Sequence, residues 1–265
     1  MCTSLIYRDP DKGILGIGFN RDESFKRKPS LSPQLLESNS GKAIAPIDGE
    51  AGGTWIGVTQ SGEIICLLNY YEATLKLLRN PVSRGLLVRS ILLGERTPES
   101  YSPQSGLQEP GPFGTGSYTN TELENYYPFK LFKVRREKTE IFIWDGKTYQ
   151  TETDSETFTV FGSSFTQGPK AQVVRRETFD SNFRPSSHPD ATGFTNIAKS
   201  FLSSHLPEQG ALSPCMHRRD AHSVSRTVIV LDGASVYFSY KNSQPCEDGP
   251  EEDYNFTLTE FRTSA

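Results

Sequence analysis

No stretch of this 265-residue chain approaches the ~20 consecutive apolar residues that a membrane-spanning helix needs. Basic excess is missing as well: 28 Lys and Arg stand against 32 Asp and Glu, a formal net charge of -4. A dedicated nucleic-acid binder depends on a cationic surface, so that class is excluded. The opening run from Met1 to Asp9 lacks the basic leader and longer apolar core of a secretory signal, which predicts a soluble, cytoplasmic protein. Only four cysteines occur (Cys2, Cys66, Cys215 and Cys246), none in a C-x-x-C pair, so a disulfide framework is not expected. Each thiol is judged by its own surroundings.

What the chain does have is material for a core. It is 35% hydrophobic, with 16 Phe and 11 Tyr, at a length that suits one large domain. Short runs of β-branched and aromatic residues alternate with Gly, Pro, Ser and Asn, so strands should outnumber helices. Ser4 to Tyr7 and Ile14 to Phe19 read as a hairpin carrying Cys2 at the free end of its first strand; Thr54 to Val58 and Glu63 to Asn69 read as a second. Both pairs are apolar at most positions, as expected of strands covered on both faces. A helix follows Pro81, with Val82, Leu86, Leu87, Ile91 and Leu93 near one face, Arg84 and Arg89 off it, and Gly94 at its end. Residues 96–118 are Pro-, Ser- and Gly-rich and read as a loop of the kind that overhangs a site. Strands resume at Pro128 to Val134, Glu140 to Trp144, Thr148 to Glu152 and Thr157 to Phe161. Helices are expected over Gly168 to Phe179 and Asn196 to His205, then strands over Arg226 to Leu231, Ser235 to Tyr240 and Tyr254 to Phe261. Strands, then grouped helices, then strands describe an α+β layered fold.

Several motifs fail on inspection. Gly13, Gly16 and Gly18 have the wrong spacing for a dinucleotide loop and no helix after them; they read as glycines easing close strand packing. Gly146-Lys147-Thr148 resembles the end of a phosphate loop, but Ile141 stands where that motif requires Gly. Cys215-x-His217, with His222 beyond, lacks a fourth ligand at suitable spacing, so neither a metal nor a cofactor is expected. No G-x-S-x-G serine elbow occurs.

One constellation survives. Cys2 follows the initiator Met1 and is small enough for Met1 to be excised, which would place a thiol and a free α-amine on one residue. An α-amine of pKa ~7.7–8.0 can accept the thiol proton and later return it to a leaving group. Asn20-Arg21-Asp22-Glu23 ends the strand that should pair with the Cys2 strand. That pairing brings a guanidinium that favours thiolate, and a carboxylate to hold the amine, within reach of Cys2.

These residues, together with Gly52-Gly53-Thr54-Trp55-Ile56-Gly57, Leu68-Asn69-Tyr70, Arg84-Gly85-Leu86-Leu87-Val88 and Ser225-Arg226-Thr227, resemble the motif series of the NRDE family. It is also called the Transport and Golgi organisation protein 2 family. The resemblance runs from Met1 to about Tyr240. It implies an N-terminal nucleophile (Ntn) hydrolase fold, a four-layer αββα sandwich of two mainly antiparallel sheets between helices, related to choloylglycine hydrolases and penicillin V acylases. It further implies Cys2 as nucleophile, Arg21 and Asp22 as its polar partners, Asn69 as an oxyanion donor and Arg226 as a second cation near the thiol. Asn20, Tyr70 and Ser164 are implied in substrate binding. At Phe161-Gly162-Ser163-Ser164 the chain departs from the family, which usually reads Leu-Ser-Asn there, so a shorter hydroxyl replaces an amide at Ser164. The expected function is an amide-cleaving or acyl-transferring enzyme acting on a small acyl or amide substrate through a Cys2 thioester. The alternatives are a non-catalytic lipid, acyl-CoA or haem binding protein on the same scaffold, and a biosynthetic acyltransferase or cyclase. The motifs leave the acyl group, its acceptor and the oligomeric state open.

Overall fold

Apolar residues at nearly every position of the first two strands demand cover on both faces, and the molecule provides it. β1 (Cys2–Asp9) is buried throughout, and β2 (Ile14–Ser24) from Ile14 to Asp22. The computed structural model describes residues 2–73, 77–98, 123–165 and 167–259. The loop expected at 96–118 lies, from residue 99 onward, outside the described residues.

Thirteen strands are described, in two sheets paired antiparallel throughout. β3 (Leu31–Glu37), β4 (Lys42–Ile47), β5 (Ile56–Thr59), β6 (Ile64–Asn69), β7 (Phe129–Val134), β8 (Thr139–Trp144) and β9 (Tyr149–Asp154) follow one another in one seven-stranded sheet. The other sheet has six strands in the order β10-β1-β2-β11-β12-β13, completed by β10 (Phe158–Ser163), β11 (Ala221–Asp232), β12 (Ser235–Lys241) and β13 (Glu252–Thr257). Their inner faces meet in a core that includes Ile6, Ile17, Phe19, Ile56, Cys66 and Phe132. Helix α1 (Arg84–Leu92) covers the outside of the seven-stranded sheet through Leu87, Val88, Ile91 and Leu92. Helices α2 (Gly168–Asn182) and α3 (Ala191–Ser203) cover the outside of the other through Phe179, Phe194 and Phe201. This is the four-layer α+β sandwich that the sequence predicted.

Gly16 and Gly18 lie beneath α3. A Cβ at Gly16 would come within 2.3 Å of the Phe194 ring, and one at Gly18 within 2.8 Å of Leu202. These glycines serve helix-on-sheet packing. Strands β3 and β4 were not expected from the sequence. The polar, partly exposed pattern of β3 and the Ser-Asn-Ser-Gly turn after it obscure the period-two signal; β3 forms one edge of its sheet, with β4 paired inside it. Among the described residues no helix is long and apolar enough to cross a membrane.

Candidate active site

The β1–β2 hairpin sets the site. Antiparallel register places Cys2 opposite Arg21 on one side and opposite Ser163 of β10 on the other. Residues directly opposite share a sheet face, with Cβ atoms ~4.5–5.5 Å apart. Cys2 and Arg21 therefore both point between the sheets, at the end where the sandwich opens into a cavity of about 340 Å³. The backbone N–H of Cys2 donates to Ser163 Oγ at 3.1 Å.

Period-two alternation divides the Asn20-Arg21-Asp22-Glu23 run between two faces. Arg21 and Glu23 line the cavity. Arg21 lies 4.4 Å over the Trp55 ring and pairs with Asp48 at 2.5 Å and Glu23 at 3.4 Å. Asp48 also receives Arg27, at 2.9 and 3.0 Å. Burial alone would raise the Asp48 carboxyl pKa, but the hydrogen bonds from Arg27 and the Ala51 N–H, with the two nearby guanidiniums, hold it below the usual range.

Asn20 and Asp22 carry their side chains to the helix side. Asn20 Nδ2 donates to the carbonyls of Leu202 at 2.7 Å and Pro214 at 3.0 Å, so it ties β2 to α3 and the chain beyond it. Its expected contact with substrate is not supported, since the buried amide is engaged behind the sheet. The Asp22 carboxylate accepts from Ser223 Oγ at 2.6 Å and lies 3.8 Å from the Arg175 guanidinium. A β-bulge in β11 between Ser223 and Ser225, opposite Asp22 and Arg21, aims Ser223 at that carboxylate.

Arg175, which the sequence reading passed over, is fully buried. It donates to the carbonyls of Cys2 (3.0 Å), Ala211 (3.3 Å), Ser163 and Leu212 (both 3.4 Å). It clamps the ends of β1 and β10 from behind. In sequence it looks like one more charge on a polar helix; its stem passes Gly162, 3.2 Å from the position of a Cβ.

Burial pushes the Cys2 thiol pKa up. The positive amino terminus, the Asp22 backbone N–H and the Arg21 guanidinium act against that rise, and the Asp22 carboxylate adds to it. Cys66 is pushed up by burial within the core and does not line the cavity.

Asn69 ends β6 at the cavity wall and donates to Tyr71 Oη at 2.7 Å. An amide NH2 carries two donors, so this bond engages one of them. Across the cleft stands Arg84, at the first position of α1. Its guanidinium donates to the Pro128 carbonyl at 2.9 Å and has no carboxylate partner among the described residues. Burial lowers its pKa. In sequence, Arg84 is marked only as the first residue of the Arg84-Gly85-Leu86-Leu87-Val88 motif and as lying off the apolar face. Two glycines set its position, because a Cβ at Gly53 would lie 2.3 Å from the Gly85 carbonyl carbon, and Gly52 adopts a φ of +68°.

Three expected residues lie elsewhere. Arg226 is not a second cation at the thiol: it sits on the outer face of β11, where it donates to Ser203 Oγ at 2.7 Å and pairs with Glu251 at 2.8 Å. The partner that a buried guanidinium requires is present, on the opposite face of the sheet from Cys2. Ser164 caps the turn into α2 by accepting from the Gln167 N–H at 3.3 Å, and its neighbour Ser163 contacts Cys2 instead. Tyr70 packs against the core with the Lys130 ammonium 4.6 Å from its ring centre, outside the cavity lining.

The sequence offers Cys215-x-His217 no fourth ligand at suitable spacing. The structure brings His205 and Cys246 to that pair, and all four donor atoms lie within 4.8 Å of one another; His222 is not among them.

The sequence profile of the Transport and Golgi organisation 2 family matches residues 1–233. The Transport and Golgi organization protein 2 homolog of Bos taurus is 34% identical over 85 residues, 31% of this chain and 29% of that relative's length. The match thus spans less than a third of the relative. The Caenorhabditis elegans ortholog of N-acylethanolamine-hydrolyzing acid amidase shares the fold, with a TM-score of 0.51 and 12% identity over 99% of this chain and 98% of that one. A mutant conjugated bile acid hydrolase from Clostridium perfringens gives a TM-score of 0.48 and 10% identity over 97% of this chain and 98% of that one.

Proposed function

Because the chain belongs to the Transport and Golgi organisation 2 family and has the Ntn-hydrolase fold, we propose that it cleaves or transfers an acyl group at an amide bond through a thioester on Cys2. The observation that carries this reading is the placement of a thiol at the cavity floor, directly across a β-ladder from Arg21 and on the wall that also presents Asn69 and Arg84.

Removal of Met1 makes the Cys2 nitrogen an amine. That amine takes the thiol proton as sulfur attacks the amide carbonyl carbon, so the raised thiol pKa needs no free thiolate at rest. The carbonyl π electrons move to oxygen, and Asn69 Nδ2 and the Arg84 guanidinium stabilise the resulting oxyanion. Collapse breaks the C–N bond, and the ammonium of Cys2 returns the proton to the departing amine. Water, or an acceptor amine in the transfer reaction, then attacks the thioester with the same amine as base, and sulfur regains its proton. Arg21, neutralised by Asp48 and Glu23, orients Cys2 and lowers the cost of negative charge on sulfur. The walls combine Glu23, Arg27 and Glu50 with Trp55 and Val82, which suits an amide whose one end is polar and whose other end is apolar.

The test is turnover of a panel of N-acyl amides by the wild type and by Cys2→Ala. Loss of all turnover in the variant, with the melting temperature kept, supports the reading. Undiminished turnover in the variant overturns it, and ligand affinity without turnover in either protein favours the non-catalytic binding role.

A further inference from the structure

On the far side of the Cys2 sheet, three separate stretches of chain converge on one point. His205 follows the end of α3, Cys215 and His217 lie in the irregular segment before β11, and Cys246 lies in the connection from β12 to β13. His217 Nε2 is 3.1 Å from His205 Nε2, 3.4 Å from Cys246 Sγ and 3.6 Å from Cys215 Sγ. A ring nitrogen has one proton or one lone pair, so it satisfies one such neighbour as a hydrogen-bond partner and not three. A cation at the centre satisfies all of them.

The distances agree with that answer. Four-coordinate zinc, with Zn–S of about 2.3 Å and Zn–N of about 2.0–2.1 Å, gives tetrahedron edges of about 3.3 Å for N···N and about 3.6 Å for N···S. Two thiolates and two imidazoles in this arrangement select zinc over the hard cations. All four positions are filled by protein, which leaves none for water or substrate. Cys215 is buried and the other three are half-buried. We propose that His205, Cys215, His217 and Cys246 form a structural zinc site.

The site has a consequence for the Cys2 end of the fold. Residues 211–214, next to two of the ligands, supply the carbonyls that hold Arg175 and Asn20, and Pro214 also accepts from Thr3 Oγ1 at 3.3 Å. Among the described residues, 204–216 belong to no helix or strand. A metal that cross-links this segment to α3 and to the β12–β13 connection fixes the back wall of the catalytic hairpin.

The experiment is metal analysis of the full-length protein purified under reducing conditions, followed by replacement with Co2+. About one zinc per chain is expected. The cobalt protein should show the intense visible bands of four-coordinate Co2+ and a near-ultraviolet thiolate charge-transfer band. Cys246→Ser and His205→Gln should lose zinc and melt lower, whereas His222→Gln and Cys2→Ala should keep one equivalent, which separates this site from the proposed nucleophile. A folded, reduced wild type that contains no zinc and yields no thiolate–cobalt band overturns the proposal. So does a Cys215–Cys246 disulfide found by peptide mapping in freshly lysed cells. The cobalt spectrum is read on the wild type, so the test stands even if a ligand variant fails to fold.

Discussion

Arg175→Met isolates the buried guanidinium behind the nucleophile. Methionine keeps much of the stem's length and removes the charge that four carbonyls and Asp22 face. Deleting one member of a buried pair costs about 3–5 kcal/mol, because the partner's desolvation is then uncompensated. The separate hydrogen bonds, at about 1.5–3 kcal/mol each for a charged donor, overlap with that figure rather than add to it. In a chain of this size each kcal/mol moves the melting temperature by about 2–4 °C, so a fall of about 6–20 °C is expected. Scanning calorimetry measures it. The double variant Arg175→Met, Asp22→Asn removes the stranded negative charge and should melt above Arg175→Met alone. A single variant within about 2 °C of the wild type, or a double variant that melts lower still, refutes the clamp.

Asn69→Ala should lower kcat by about 10²–10³-fold with the melting temperature kept, the usual loss for one oxyanion donor, and steady-state kinetics beside a thermal scan measures both. In the chain that retains Met1, the raised Cys2 pKa means that alkylation keeps accelerating above pH 8.5, the ordinary thiol value; a rate already level by pH 8 contradicts it. Glu251 has a carboxyl pKa near 2: burial would raise it, but hydrogen bonds from Arg226 and Lys199 depress it further. A depressed carboxyl stabilises the fold above its unfolded pKa of ~4.3, and that contribution is lost as pH falls from there towards 2. The acid limb of a stability profile should therefore be shallower in Glu251→Gln, and identical limbs would count against the pair.

The layers were legible because β1, β2, β6 and β11 announce themselves as apolar runs bounded by turn residues. The edge strand β3 was not, since a half-exposed strand holding Ser32, Pro33, Gln34 and Glu37 carries little periodicity. At the site, Cys2 and Arg21 were readable as hairpin partners because register follows from the turn at Pro10 to Gly13. Arg226 misled because a strand position alone does not say which face is which; the bulge beside Ser225 and the ion pair to Glu251 are tertiary facts. Arg175 and the His205–Cys246 cluster escaped for the same reason. Cys2 lies 173 residues from Arg175 and Cys246 lies 29 from His217, and no local spacing records the convergence.

The central claim is that Cys2, freed of Met1, is the acyl acceptor. Intact mass and peptide mapping of the purified protein, before and after exposure to an acyl-transfer electrophile, test it most directly. The expected result is a chain that begins at Cys2 and carries one acyl group on that residue, with no adduct in Cys2→Ala. A chain that retains Met1, or an adduct confined to Cys246 and unchanged in Cys2→Ala, would contradict it.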